Sequence, residues 1–95
     1  MGAIAQYIDT DPRIDLARFA NALYRLGGVL EMLTDMHFGL DANTVGAMTQ
    51  DSQGNACLRR LLNSGTVAYS PKGRLILSQE GRELAFDMFG VGACD

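Results

Sequence analysis

The chain reads as a mainly α protein with a small β-hairpin, an α+β fold carried on a single domain of 95 residues. Two patterns lead to that reading. Leu16, Phe19, Leu23, Leu26, Leu30 and Leu33 recur at alternating spacings of three and four, which lays one apolar stripe along a helix. Further on, residues 66–70 and 74–78 are short β-prone runs on either side of Pro71-Lys72-Gly73. Proline pre-sets the second position of a tight turn, and glycine accepts the positive φ that follows it.

The elements follow in order. Residues 1–10 hold apolar Ile4, Tyr7 and Ile8 and read as an N-terminal arm. Asp11-Pro12 is a helix start: Asp accepts the free N–H groups, and Pro at the first helical position forfeits no bond. Gly27-Gly28 interrupts the stripe that follows, at about 1 kcal/mol each in a helix interior. Either one long N-terminal helix runs from Pro12 to about His37, or one helix ends near Leu26 and a second spans residues 28–38. The register of the stripe is kept across the glycines, which favours the single helix. Phe38-Gly39 closes it, with Gly39 suited to a left-handed cap.

Asp41 or Asn43 then caps a short helix over residues 42–50, apolar at Val45 and Met48. Asp51-Ser52-Gln53-Gly54 reads as a polar turn. Asn55 or Ser52 caps the next helix, residues 56–63, with Cys57, Leu58, Leu61 and Leu62 inward, and Ser64-Gly65 stops it. A type I turn with a following bulge pairs Tyr69 with Leu75 and Val67 with Leu77 on one face of the hairpin, and Ala68 with Ile76 on the other. Ser78 caps a last helix in which Leu84, Ala85, Met88 and one of Phe86 and Phe89 pack inward. Gly90 ends it, and residues 91–95 read as a frayed tail.

Composition narrows the function classes. A hydrophobic content of 47% and a charged content of 20% are those of an ordinary globular protein. No apolar run approaches the roughly 18 residues that would span a bilayer. The opening MGAIAQYIDTD lacks a basic leader, and Gln6 stands where a myristoylation motif needs Ser or Thr, so the expected location is the cytoplasm. Cys57 and Cys94 are far apart and read as two free thiols; with a single histidine, His37, they supply no metal site. No cofactor is expected. The chain carries no nucleophile elbow, phosphate-binding loop, zinc-protease helix or paired-carboxylate arrangement, so an enzyme is not expected.

The net charge of −3 runs against nucleic-acid binding, but its distribution does not. Residues 1–50 set Arg13, Arg18 and Arg25 against six carboxylates; residues 51–82 set Arg59, Arg60, Lys72, Arg74 and Arg82 against Asp51 and Glu80. The first stretch is therefore net −3 and the second net +3, while the tail from Glu83 returns to negative.

The stretch Leu58-Arg59-Arg60-Leu61-Leu62-Asn63-Ser64-Gly65-Thr66-Val67, the hairpin, and Leu77-Ser78-Gln79-Glu80-Gly81-Arg82-Glu83-Leu84 resemble the back half of a winged helix-turn-helix domain of the MarR or PadR kind, closely over residues 56–84. The resemblance implies a DNA-binding transcriptional regulator that engages double-stranded DNA. Gln53 and Asn55 would face base edges, while Arg59, Arg60, Lys72 and Arg74 would neutralise phosphates. The near-heptad stripe of Leu16, Phe19, Leu23, Leu26, Leu30 and Leu33 suits a seam between two subunits, so a homodimer is expected. The front of the recognition helix lacks Arg and Lys, and Gly46 sits inside the first helix of the pair. A reading of another class therefore stands beside the first: an acidic protein-interaction module, such as a small phage or mobile-element inhibitor of the anti-CRISPR kind that binds a host protein complex.

Overall fold

A computed structural model describes residues 11–34 and 39–90. These residues form a mainly helical α+β fold: α1 (Pro12–Arg25), a 3₁₀ helix (Leu30–Thr34), α2 (Ala42–Gln50), α3 (Ser52–Ser64), the strands β1 (Val67–Tyr69) and β2 (Leu75–Leu77), and α4 (Gln79–Phe89). The expected N-terminal arm, the frayed tail with Cys94, and His37 lie outside the described residues.

α1 starts as its sequence dictates. Asp11 accepts the N–H of Arg13 at 3.0 Å, with Pro12 in the first turn. Leu16, Phe19 and Leu23 go fully into the core. The long helix to about His37 does not form. Gly27 takes φ +90°, and two reversed bonds close the end: Gly28 N–H to the Leu23 carbonyl and Gly27 N–H to the Tyr24 carbonyl, both 3.0 Å. This left-handed closure satisfies the last carbonyls of α1, and glycine adopts it without the steric cost a side chain would impose. The chain then turns into the 3₁₀ helix, which returns Leu30 and Leu33 to the same core. The stripe keeps its register because both segments line one core, and a continuous helix is not needed for that.

Leu40 makes a connection that the sequence does not announce. Its N–H donates to the Leu75 carbonyl at 2.9 Å, and its carbonyl accepts from Leu75 at 3.1 Å. It therefore adds an antiparallel bridge to the edge of the hairpin. Asp41 follows at once and caps α2, accepting the Thr44 N–H at 2.8 Å.

The junction between α2 and α3 is shorter than expected. The four-residue polar turn contracts to Asp51 alone, which ends α2 through its N–H to the Met48 carbonyl and caps α3 by accepting the Gly54 N–H at 2.7 Å. Neither Ser52 nor Asn55 is the cap, and α3 begins at Ser52. Gly54 is buried against the last turn of α2, where a side chain would meet the Met48 carbonyl at 2.8 Å.

Backbone N–H donation holds both capping carboxyls below their ordinary value of 3.8, from Thr44 at Asp41 and from Gly54 at Asp51. A depressed folded-state value stabilises the fold above the unfolded pKa, and the contribution is lost as pH falls through the folded value. Carboxyl titration followed by NMR is expected to place both midpoints below 3.8. Asp51→Asn, which keeps an acceptor without the charge, is expected to weaken the acid dependence of unfolding.

The hairpin has the expected register: Val67 opposite Leu77, Ala68 opposite Ile76 and Tyr69 opposite Leu75. Gly73 at φ +78° and its N–H bond to the Ser70 carbonyl at 2.8 Å form the turn. The expected alternation of faces is only partial. Leu75, Ile76 and Leu77 are all buried, because Gly39 and Leu40 lie along β2, while Tyr69 is half exposed.

Ser78 joins the halves of the domain. Its Oγ accepts the Gly81 N–H at 3.0 Å and is in donor reach of the Gly65 and Thr66 carbonyls, while its N–H donates to Thr66. Removing the hydroxyl in Ser78→Ala is expected to cost about 1–2 kcal/mol, read from the denaturant midpoint at unchanged slope. On α4, Ala85 is buried and Leu84 and Met88 pack partly against the core. Phe86 and Phe89 both remain exposed, at 54% and 47%, against the expectation that one would pack inward. The helix face that meets the core is spent on Gly81, Leu84, Ala85 and Met88, and the two phenylalanines fall to its side.

Candidate nucleic-acid interface

α3 projects its residues according to a period of 3.6. Gly54, Cys57, Leu58 and Leu61 are buried and define its inner face. The opposite face carries Ser52, Asn55, Ala56, Arg59 and Asn63, of which Ser52, Arg59 and Asn63 are exposed and Asn55 and Ala56 half-buried. Six residues were expected to contact DNA, and four of them lie on α3: Gln53, Asn55, Arg59 and Arg60. Those four divide into two pairs.

Asn55 and Arg59 lie on the outward face, and their side chains make no hydrogen bond or ion pair among the described residues. Gln53 and Arg60 turn toward α1. The Gln53 side-chain oxygen accepts from Arg25 at 3.4 Å, and the same guanidinium pairs with Asp51 at 3.3 Å. Arg60 donates from Nε to Asp15 at 2.9 Å. Asp15 is almost wholly buried, at 3% side-chain exposure, so it holds Arg60 as its counter-ion. That bond is the main cause of the raised Arg60 pKa. The phosphate role expected of Arg60 is corrected to a structural one: a buried carboxylate needs its partner more than a solvated phosphate would.

Arg60 also points toward the Cys57 sulfur, 3.8 Å away. Burial pushes the Cys57 thiol up, which suits a free, unreactive core cysteine.

The hairpin carries the last two residues expected to contact DNA. Lys72 is exposed at the turn, where its backbone N–H donates to the Ser70 hydroxyl at 3.3 Å, and its side chain makes no bond among the described residues. Arg74 stands at the base of the hairpin, and its charge helps to keep the Asp41 carboxyl ionised. It also borders a groove of about 440 Å³ lined by Val29, Met32, Leu40 and Thr44.

The six residues expected to form a dimer seam are mostly unavailable for one. Leu16, Phe19, Leu23, Leu30 and Leu33 are buried in the chain's own core, and only Leu26 is exposed, at 45%. A 3–4 stripe describes an intramolecular core as well as an intersubunit seam, and here α3 and the 3₁₀ helix lie against it. The exposed apolar side chains nearby are Tyr24, Val29 and Met32.

Sequence reasoning missed Ser52 because it started the helix four residues late, and passed over Ala56 and Asn63, which lay within the expected helix but carry no charge. With α3 beginning at Ser52, their spacing with Arg59 puts them on one face. Among the described residues there is no group of His, Cys, Asp and Glu that could hold a metal ion, and no helix is long and apolar enough to cross a membrane. No family model, curated protein or solved structure matches the chain.

Proposed function

We propose that the chain is a small winged-helix DNA-binding protein that acts as a transcriptional regulator, with α3 as its recognition helix and the β1–β2 turn as its wing. The observation that carries this reading is the outward face of α3. It presents Asn55 and Arg59 without partners among the described residues, next in chain order to a hairpin tipped by Lys72. The order of elements supports it too: a helix, a bridging residue paired to the hairpin, two helices joined by one residue, the hairpin and a closing helix. Asn and Arg are side chains suited to reading adenine and guanine edges in a major groove. Lys72 and Arg74 would contact the backbone and position the protein without reading sequence.

The test is binding to random-sequence duplex DNA across a range of salt. Affinity is expected to fall steeply with salt, and Arg59→Ala with Lys72→Ala to reduce the slope by about two. Absence of binding at low salt rejects the reading. If the protein binds as a homodimer, the pairing surface is the exposed Tyr24, Leu26, Val29 and Met32 and not the buried stripe. Solution mass is then expected to be twice that of the chain, and Val29→Glu with Met32→Glu to halve it.

The second reading, a protein-interaction module that docks on a host complex, draws on the same exposed apolar side chains. Tyr24 is 73% exposed and Leu26, Val29 and Met32 more than 40%, in a chain of net charge −3. Loss of duplex binding in the salt series would move the weight to it.

A further inference from the structure

The charge distribution along the chain sets the acidic first half apart from the candidate interface, yet α1 sends one cation toward it. Asp15, Arg18, Ala22 and Arg25 lie at spacings of three, seven and ten, which puts them along one flank of α1. Both ends of that flank touch α3. Asp15 meets Arg60 at 2.9 Å, and Arg25 reaches Gln53 and Asp51 at the start of α3. The two helices therefore run antiparallel along this line, and Arg18 sits between the two contacts. Its level on α3 falls between Gln53 and Arg60, beside Ala56 and Cys57. Its charge is felt at the Cys57 thiol, consistent with that position.

Three properties separate Arg18 from the other arginines of α1. Like them it is exposed, but it makes no hydrogen bond or ion pair among the described residues, whereas Arg13 pairs with Asp87 and Arg25 with Asp51. The carboxylate on its flank, Asp15, is already neutralised by Arg60. The residue of α3 at its level on the outward side is Ala56, whose side chain is a single methyl group.

We propose that Arg18 is a phosphate-contacting residue of the nucleic-acid face, contributed by α1 from outside both the recognition helix and the wing. Arg18 and Arg59 flank Ala56 from two helices and hold the same phosphodiester strand beside α3. This rests on the DNA-binding reading and adds a residue that the motif resemblance does not reach. A guanidinium with no internal partner loses little on leaving water when it meets a phosphate oxygen, and its fork suits that geometry.

The experiment measures binding of the full chain to a random-sequence duplex from about 50 to 200 mM salt. The variants are Arg18→Ala, Arg18→Lys, Arg59→Ala and, as the control, Arg13→Ala, an exposed arginine of α1 paired with Asp87. Arg18→Ala is expected to weaken low-salt binding roughly tenfold and to lower the salt slope by about one. Arg18→Lys is expected to keep the slope. The melting temperature is expected to be unchanged in both, since Arg18 makes no hydrogen bond or ion pair among the described residues. If wild type and Arg59→Ala behave as the DNA reading requires while Arg18→Ala binds like wild type, the inference about Arg18 is overturned and the reading stands. If wild type itself fails to bind, both fall.

Discussion

Gly81→Ala is expected to remove a large share of the protein's stability, although alanine is the better helix former. In an unconstrained helix the change would gain about 1 kcal/mol. Gly81 lies in the first turn of α4, pressed against the start of β1. A methyl group built there would sit 1.9 Å from the Thr66 carbonyl oxygen and 3.2 Å from a Leu77 methyl. The nearest atom is backbone, so it cannot move aside as the end of a flexible side chain can. Relief requires α4 to shift away from the strand, which would break the Ser78 contacts to Gly65 and Thr66 at the same time. Overpacking typically costs about 1–3 kcal/mol, and contact with fixed backbone lies at or above that upper end. Against a total stability of roughly 5–15 kcal/mol, that is a large fraction.

Gly46→Ala is the matched control. Gly46 lies within α2 with nothing close to the position of a Cβ. It is expected to raise stability by about 0.5–1 kcal/mol through helix propensity alone. Urea unfolding of the two variants settles the matter: equal effects at Gly81 and Gly46 would mean that the close approach of α4 to β1 carries no weight.

The second large effect is expected at Asp15. Its carboxylate is buried at the α1–α3 contact, with Arg60 as partner at 2.9 Å. Asp15→Ala removes the acceptor and leaves the guanidinium beside the core. Breaking a buried pair costs about 3–5 kcal/mol in general. Arg60 retains 31% side-chain exposure and can regain some water, so about 2–3 kcal/mol is expected here. Asp15→Asn keeps an oxygen for the Arg60 Nε–H and is expected to lose less. The double change Asp15→Leu with Arg60→Met, apolar at both positions, is expected to recover most of the stability, since the charges are then absent together. Strictly additive losses in a double-mutant cycle would disprove the coupling. The pair also bears on tests of the proposed DNA binding: under that proposal, Arg60→Ala is expected to weaken binding by destabilising the fold, without removing a phosphate contact.

The local elements were legible because their causes are local. Asp11-Pro12, Asp41 and Ser78 cap helices with their own side chains, over two or three residues of chain. The hairpin register follows from one proline and one glycine in the turn. The motif residues around Leu77 and Leu84 likewise have nearby reasons, since Ser78 caps α4 and Gly81 admits the strand. What remained ambiguous was every choice between two uses of the same pattern. The stripe through Leu16 and Leu33 fits one helix or two segments, and a subunit seam or an internal core. Arg59 and Arg60 are adjacent and chemically identical, yet one faces solvent and the other a buried carboxylate 45 residues away in sequence.

The sequence by itself thus determined the α+β class, the caps at Asp11 and Ser78 and the hairpin, because each depends on side chains competing for backbone bonds within a few residues. The tertiary structure alone decided where α1 ends, that Asp51 serves both α2 and α3, and which arginines are available to a partner. Those outcomes depend on what another segment brings to the same place: the core that takes Leu30 and Leu33 after the turn, the α2 backbone against Gly54, and the carboxylate of Asp15 beneath Arg60.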